Sequence, residues 1–517
     1  MAETGARKWI IAITVISAAV MELIDTSIVN VSLSDMSGNL GATLEDTAWV
    51  ITAYAIANVI IIPMTSFLAA LLGRRVYYVG SIILFTAASV ACGAAGNIWV
   101  LVFFRFLQGI GGGALLSTSQ AILFEAFPLE ERGLASGIFG MGIVIGPTIG
   151  PTLGGYIVDQ LSWPWIFYVN LPVGILATFL ALRFVPEPKD ARKPTRIDWA
   201  GIALLIVGIG SLQTVLERGQ TEDWFSKPYI AALSLVAAIC LSTFIVWELW
   251  VDQPVVNLRV LKSKTLAVAA ILTFVLGFGL FVSVFVVPVF AQRLLGFTAT
   301  QTGLLLLPGA ILAAFLLPNI GRLMGKGLPP KPMIVIGFSC FIAFSFLMSR
   351  FDLTSGQGNF FWPLIFRGMG IAFLTVPLTV LAVSDLKGPD VPQGAALNNM
   401  MRQLGGSFGI AAINTYVAQR SASHRLDLVT HLGIEDSATL SRLDALTRRF
   451  ASISSDVAHT KDQALHVLDG IITRQTFLLT YLDAFRVVGI CFFLCLPLIL
   501  MVGKTKKPAG PVSVSDH

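Results

Sequence analysis

Apolar stretches of about 20 residues, each long enough to cross the core of a bilayer as a helix, follow one another almost without pause along this chain. With a window of about 19 residues, fourteen such stretches stand at 9–33, 48–71, 76–96, 98–123, 134–157, 165–185, 198–217, 229–250, 266–291, 301–321, 332–349, 361–384, 394–418 and 477–502. The links between them hold Gly, Pro or charge, the residues that interrupt helices. Inside a bilayer every backbone group must be satisfied within the protein, so runs of this length predict helices. The expected fold class is therefore all-α and membrane-embedded. Composition agrees: 55% of the 517 residues are apolar and 13% are charged, against about 25% charged in soluble domains. No soluble core of this size would use so much apolar surface. The net charge of +5 is then no sign of nucleic acid, and none is expected as a partner.

The first run starts at Trp9, behind Arg7 and Lys8, and continues to about Val31. That is longer than a signal-peptide core, and no small-residue cleavage site precedes the next span, so it reads as a retained first helix. Cys92, Cys240, Cys340, Cys491 and Cys495 all fall in apolar stretches without a CxxC or Cys/His cluster, which leaves disulfide and zinc readings unsupported. No metal is expected.

Orientation follows from Lys and Arg in the short loops. With the N-terminus inside, nineteen fall in cytoplasmic segments, from Arg7 and Lys8 through Arg74, Arg75 and Arg132 to Lys504, Lys506 and Lys507. Four fall outside: Arg218, Lys227, Arg293 and Arg350. This asymmetry predicts both termini in the cytoplasm and supports an even number of spans.

A faint internal repeat organises the spans. Arg105 opens the fourth in FFRFLQGIGGG and Arg367 opens the twelfth in IFRGMGIAF, and each is followed by a helix rich in small residues, 133–157 and 393–412. The expected organisation is an N-terminal six-helix bundle (1–186), a linker with two extra spans (187–264), a C-terminal six-helix bundle (265–502) and a tail (503–517). Halves related in this way meet around a midplane site and rock to give alternating access. Within the second half, 419–475 is polar, with seven basic and seven acidic residues, and places Leu440, Leu443, Leu446 and Phe450 at helical spacing. It is expected to form amphipathic helices outside the bilayer.

Charged residues within spans are the best functional signal, because one at mid-bilayer costs roughly 2.5–3.5 kcal/mol on insertion scales. Glu22 and Asp25 lie three residues apart in the first span and so share a face. A carboxyl group in a low-dielectric cavity holds its proton more readily than one in water, and can load and release it near neutral pH. Arg105, one to two turns into the fourth span, needs a partner there, and Asp25 is a plausible one. Gln108 and the glycines 109–113 allow hydrogen bonding and close helix approach. In the second half Arg367 has no evident acid partner, and Asn398, Asn399 and Gln403 are candidates for polar cavity contacts. Arg402, Asp483, Arg486, Glu217 and Glu248 read as helix-end residues with structural or rim roles, with Asp483 and Arg486 spaced to pair (i,i+3). In the fifth span Gly142, Gly146, Gly150 and Gly154 recur every four residues, with Pro147 and Pro151 between them and Gly155 beside the last. Such a row makes a smooth face for a close neighbour, and the prolines bend the helix where neighbours cover the break.

Taken in order, LIDTSIVNVSL, RFLQGIGGG and GPTIGPTLGG, with WPWIFYVNLPVGI, LERGQTEDWF, GLLLLPGA and QGAALNNMMRQLGGSFGIA, resemble the fourteen-span drug:proton antiporters of the EmrB/QacA type within the major facilitator superfamily. The likeness covers nearly the whole chain. It implies two six-helix bundles plus two extra helices, and proton-driven export of small hydrophobic or amphipathic compounds, with the proton gradient in place of any cofactor. It implies proton coupling at Asp25, where the family's first-span Asp falls, with Arg105 transferring the proton or holding the carboxylate; Glu22 is the neighbouring candidate. It implies that the glycine–proline helix lines the contact between the halves. The cytoplasmic loop SFLAALLGRR matches the family's gating loop at Gly73, Arg74 and Arg75 but has Ser66 for its Gly and Ala70 for its Asp, and the corresponding GRLMGKG has Gly325 for its acid. The acid that would latch the outward-facing state is missing, and the basic pair is left to hold a helix C-terminus or a membrane lipid phosphate.

The resemblance also implies a periplasmic adaptor and an outer-membrane channel as partners, docked on 419–475 unless that segment only caps the outer vestibule. Other readings are a facilitator or symporter for one metabolite, and a membrane interaction protein acting through 419–475. The first has less need of the antiporter-like fifth span, and the second gives no reason to keep Asp25 and Arg105. An enzyme is not expected: His424, His431, His459 and His466 lack ligand spacing, and neither a nucleotide loop nor a nucleophile motif appears.

Overall fold

The computed structural model describes residues 5–128, 131–187, 196–386, 390–432, 437–451 and 457–501, and among them every regular element is a helix. In chain order these are α1 (Ala6–Ile28), α2 (Leu33–Leu40), α3 (Leu44–Leu72), α4 (Arg74–Gly93), α5 (Ile98–Ala126) and α6 (Arg132–Gln160). Then come α7 (Trp165–Tyr168), α8 (Asn170–Phe184), α9 (Trp199–Arg218), α10 (Pro228–Trp250), α11 (Lys264–Arg293) and α12 (Ala299–Gly325). The last five are α13 (Pro330–Met348), α14 (Phe361–Val383), α15 (Asp390–Thr430), α16 (Ser437–Ala451) and α17 (Val457–Cys495). Lys189, Arg192, Lys193, Lys387, Lys504, Lys506 and Lys507, counted in the charge asymmetry, and the tail 503–517 lie outside the described residues.

Polar residues at the span edges start several helices. Thr43 accepts from Asp46 N ahead of α3, Asn97 from Val100 N ahead of α5 and Asp198 from Gly201 N ahead of α9. Thr298 and Gln301 close a reciprocal capping box on α12, so donors that would otherwise be stranded at the membrane edge are satisfied.

Thirteen helices among the described residues are long and apolar enough to cross a membrane. The remaining expected span falls on α15, whose Asn398, Asn399, Arg402 and Gln403 dilute its hydropathy. Its buried residues run from Val391 to Ile413, so it takes its place by packing inside the bundle against α11 instead of by facing lipid. Among the described residues the outer segment is helical, as expected. α15 and α17 have 41 and 39 residues, about 60 Å each at 1.5 Å per residue, twice a bilayer core of about 30 Å. Both spans run on as a paired stalk, and α16 is a separate helix between them in sequence. Arg425 joins Asp469 at 2.6 Å and Arg420 joins Asp483 at 3.0 Å across the pair. α16 lies on α17, with Leu443, Leu446 and Phe450 half-buried and Leu440 exposed.

The packing follows one scheme twice. α3 and α4 pack on α5, and α1 packs on α6; α12 and α13 pack on α14, and α11 packs on α15. The two sets meet along α6 against α12 and along α3 against α15. The α9–α10 hairpin stands beside this bundle, with α9 on α3 and α15 and α10 turning Leu235, Ile239, Val246 and Trp250 outward. Aromatic packing fills the later set: Phe290, Phe338, Phe341, Phe344, Phe360 and Phe485 are fully buried, and Phe341 stacks on Phe492 at 4.5 Å.

Candidate functional site

The first set of helices holds a buried ion pair. Asp25 on α1 and Arg105 on α5 meet at 2.6 Å, with 0% and 1% of their side chains exposed. Isolated charges there would be prohibitive, and the pair survives because almost every polar atom around it is used. Asp25 Oδ2 accepts from Arg105, and Oδ1 accepts from Gln108 Nε2 and Asn170 Nδ2, each at 2.8 Å. Arg105 also donates to Gln108 Oε1 at 2.8 Å and to the Val50 carbonyl at 3.2 Å, and its guanidinium lies over the Tyr54 ring at 4.2 Å. Asn170 reaches Ser89 at 3.0 Å, and Ser89 donates to the Phe167 carbonyl. Five helices, α1, α3, α4, α5 and α8, thus contribute to one buried network, and α5 and α8 supply the donors to its carboxylate.

Glu22, one turn before Asp25, forms a second centre. Its Oε1 accepts from Tyr54 and from Asn58, both at 3.1 Å, while Oε2 is buried without a partner among the described residues. Gly112 permits this crowding, since a Cβ there would collide with the Tyr54 hydroxyl. Tyr54 therefore touches both centres, through its ring to Arg105 and through its hydroxyl to Glu22.

The structure places the other expected residues in three groups. Gln108 joins the Asp25–Arg105 network and is fully buried there. Asn399 bridges the two sets of helices, donating to Gln120 at 2.7 Å and to Ser117 at 3.4 Å on α5. Asn398 is buried with its Oδ1 unpartnered among the described residues, and Gln403 is half-buried. Arg367 is buried on α14 and donates to Ser283 at 2.7 Å. Toward the start of α15, Phe124, Val383, Val391 and Ala395 form one buried apolar plug across the two sets. This plug lies at the face where α1 begins, here termed the basic face.

The fifth-span helix α6 does line the contact between the two sets, by packing on α12, but its glycine row does not make that contact. The row Gly142, Gly146, Gly150 and Gly154 seats α6 on α1, against Val20, Leu23, Ser27 and Ile28, and not on the opposite set. α6 does contact α12, but through another row: Gly133 lies against the Gly321 backbone and Gly137 against the Leu317 carbonyl. Gly155 faces open space, Pro147 is half-buried and Pro151 is exposed. A correction concerns charges read as lying near helix ends. Arg402 and Glu248 are buried, because α15 starts at Asp390 and packs against α11, α3 and α5 around Arg402, and because Glu248 folds back to the Val256 amide at 3.4 Å. The Asp483–Arg486 pair does form, at 2.9 Å.

The loop without its acid finds others. Gly73 turns the chain at φ 90°, where a side chain would be strained. Arg74 makes two bonds to Glu125 on α5, at 2.6 and 2.7 Å. Glu187, just beyond α8, accepts from the backbone amides of Arg74 and Arg75, and Arg75 reaches the Val185 carbonyl. A carboxylate at a helix N-terminus is favoured by the helix dipole. Sequence reasoning missed Tyr54, Asn58, Asn170, Glu125 and Glu187. Asn58 and Asn170 interrupt apolar runs (IANVII, YVNLPV), which was the available signal.

Comparison with known proteins agrees with this architecture. Residues 15–410 match the family model of the Major Facilitator Superfamily. The fatty acid resistance protein FarB of Neisseria gonorrhoeae is 34% identical over 93% of both chains. The multidrug export protein EmrB of Escherichia coli K12 is 35% identical over 82% of this chain and 83% of its own. Among solved structures, the human organic anion transporter MFSD10 superposes with a TM-score of 0.54 over 94% of this chain and 99% of its own, at 12% identity, a likeness of fold alone.

Proposed function

This chain belongs to the Major Facilitator Superfamily, and we propose that it exports small hydrophobic or amphipathic compounds in exchange for protons. The observation that carries the reading is the buried Asp25–Arg105 pair with Gln108 and Asn170 around it. A fixed structural pair could have been replaced by apolar packing at no loss of stability, whereas a proton carrier needs a carboxylate whose counter-ion can be released. Protonation of Asp25 frees Arg105, loosens the convergence of α1, α5 and α8, and biases the two halves, 1–186 and 265–502, toward their other arrangement. Glu22 is a second protonatable group on the same helix, facing the interface between the halves. Movement occurs at the α6–α12 and α3–α15 contacts, where small residues allow sliding, and the plug at Phe124 and Val391 is the gate that must part.

The names of the relatives, a fatty acid resistance protein and a multidrug export protein, support export and an apolar cargo. The charge asymmetry of the loops supports insertion in the inner membrane of a bacterium with the basic face cytoplasmic and both termini inside. The α15–α17 stalk then projects into the periplasm, where it offers a surface for an adaptor protein leading to an outer-membrane channel. Everted vesicles test the reading: an interior-acid gradient should drive accumulation of a lipophilic fluorescent compound, and collapse of the gradient should release it. Accumulation that ignores the gradient across a broad panel of compounds would contradict proton-driven export.

A further inference from the structure

The buried charges of the two halves do not balance. In the N-terminal half Asp25 is neutralised by Arg105 and Arg74 by the partly exposed Glu125, and Glu22 remains. In the C-terminal half the buried charged side chains among the described residues are Arg367 and Arg402, and neither has a carboxylate within ion-pair distance. Arg367 is tied to the Ser283 hydroxyl. Arg402, 7% exposed, has no hydrogen-bond partner for its guanidinium among the described residues. It sits twelve residues into α15, about 18 Å from its start at 1.5 Å per residue, and so near the middle of a bilayer core.

Its base is rigid. α15 and α11 touch backbone to backbone at this point, where a Cβ on Gly277 would strike the Arg402 carbonyl. The side chain lies within Coulombic reach of Glu22 across the interface without forming an ion pair, and Glu22 Oε2 is unpartnered among the described residues. One turn earlier stand the Asn398 and Asn399 oxygens, also unpartnered. An arginine held in this way, with donors to spare in a low-dielectric site, fits a planar anion with two acceptor oxygens.

We propose that Arg402 receives a carboxylate carried by the transported compound, so that amphiphiles with a single carboxylate are a preferred substrate class. The inference rests on the export reading and narrows it. The apolar tail of such a compound lies among the surrounding helices while its head pairs with Arg402 and offsets the surplus positive charge of the C-terminal half. Glu22 is the competing anion from the opposite half, and the substrate displaces its influence on Arg402 on entry.

The test is equilibrium binding to purified protein in nanodiscs of phosphatidylcholine alone, so that no anionic lipid competes. Radiolabelled dodecanoate is the probe, with dodecanol and dodecyltrimethylammonium as competitors of equal chain length. Dodecanoate should outcompete dodecanol by about tenfold or more, as a charge-assisted pair provides. Arg402→Gln should remove that preference, and Arg402→Lys should retain part of it. Thermal unfolding of each variant separates lost binding from lost folding; if the Gln variant does not fold, the selectivity of the wild type and of the Lys variant decides. Equal binding of dodecanoate and dodecanol, or undiminished dodecanoate binding in a folded Arg402→Gln protein, overturns the proposal. Preference for dodecyltrimethylammonium would also overturn it, and would assign recognition to Glu22. No gradient is present, so these outcomes are independent of whether transport is driven by protons.

Discussion

Replacing Asp25 by Asn removes one charge and almost no volume, which makes it the cleanest perturbation of the buried network. Asp25 accepts from three donors, Arg105, Gln108 and Asn170. An Asn side chain offers one accepting oxygen and a donating NH2, so at least one of the three donors then faces another donor. Arg105 keeps its bonds to Gln108 and Val50 and its contact with the Tyr54 ring, but its charge is left uncompensated at 1% exposure. Breaking a buried pair from one side costs about 3–5 kcal/mol. Asp25→Asn is therefore expected to lower stability by about that amount, measured by unfolding in mixed micelles. The double variant Asp25→Asn/Arg105→Gln removes both charges and should recover about 2 kcal/mol or more of the loss. Proton coupling should be absent in both. The reasoning is refuted if Asp25→Asn is as stable as the wild type, or if the second substitution adds its own loss in place of recovering any.

Other consequences can be checked independently. Glu125→Gln should cost about 1–2 kcal/mol, less than a fully buried pair because Glu125 is partly exposed; the exchanged pair Arg74→Glu/Glu125→Arg should recover part of it, read by thermal unfolding. Gly133→Leu forces α6 away from the α12 backbone and should widen the α6–α12 spacing at the basic face, measured by spin-label distances. Gly142→Leu should leave that spacing alone and lower stability by about 1–3 kcal/mol through α1. Replacing Ser437–Ala451 with a flexible linker spares the α15–α17 ion pairs, so insertion and transport in liposomes should persist while capture of a periplasmic adaptor is lost; undiminished capture would move the docking site elsewhere.

The spans were legible because each must carry its own apolar length, independent of its neighbours. α15 is where that rule strains: a helix buried on several sides by protein can afford Asn398, Asn399 and Arg402, and hydropathy then undercounts it. The Asp25–Arg105 pairing was legible because a charge in that setting requires an opposite one, and few were available. Asn170 and Asn58 carry no such demand, so nothing in the sequence named their partners. The glycine row of α6 announced a close neighbour without saying which, and α1, not α12, turned out to occupy it. Arg402 was misplaced because α15 starts earlier than its hydropathy suggests, at Asp390, and neighbouring helices close around it.

The central claim is that protons and substrate exchange through Asp25. It is tested most directly with purified protein in liposomes holding a trapped proton gradient and an interior pH dye. Substrate added to wild-type vesicles should release protons at a rate that saturates with substrate, and folded Asp25→Asn protein should release none above empty vesicles. Proton release by Asp25→Asn at the wild-type rate would contradict the account.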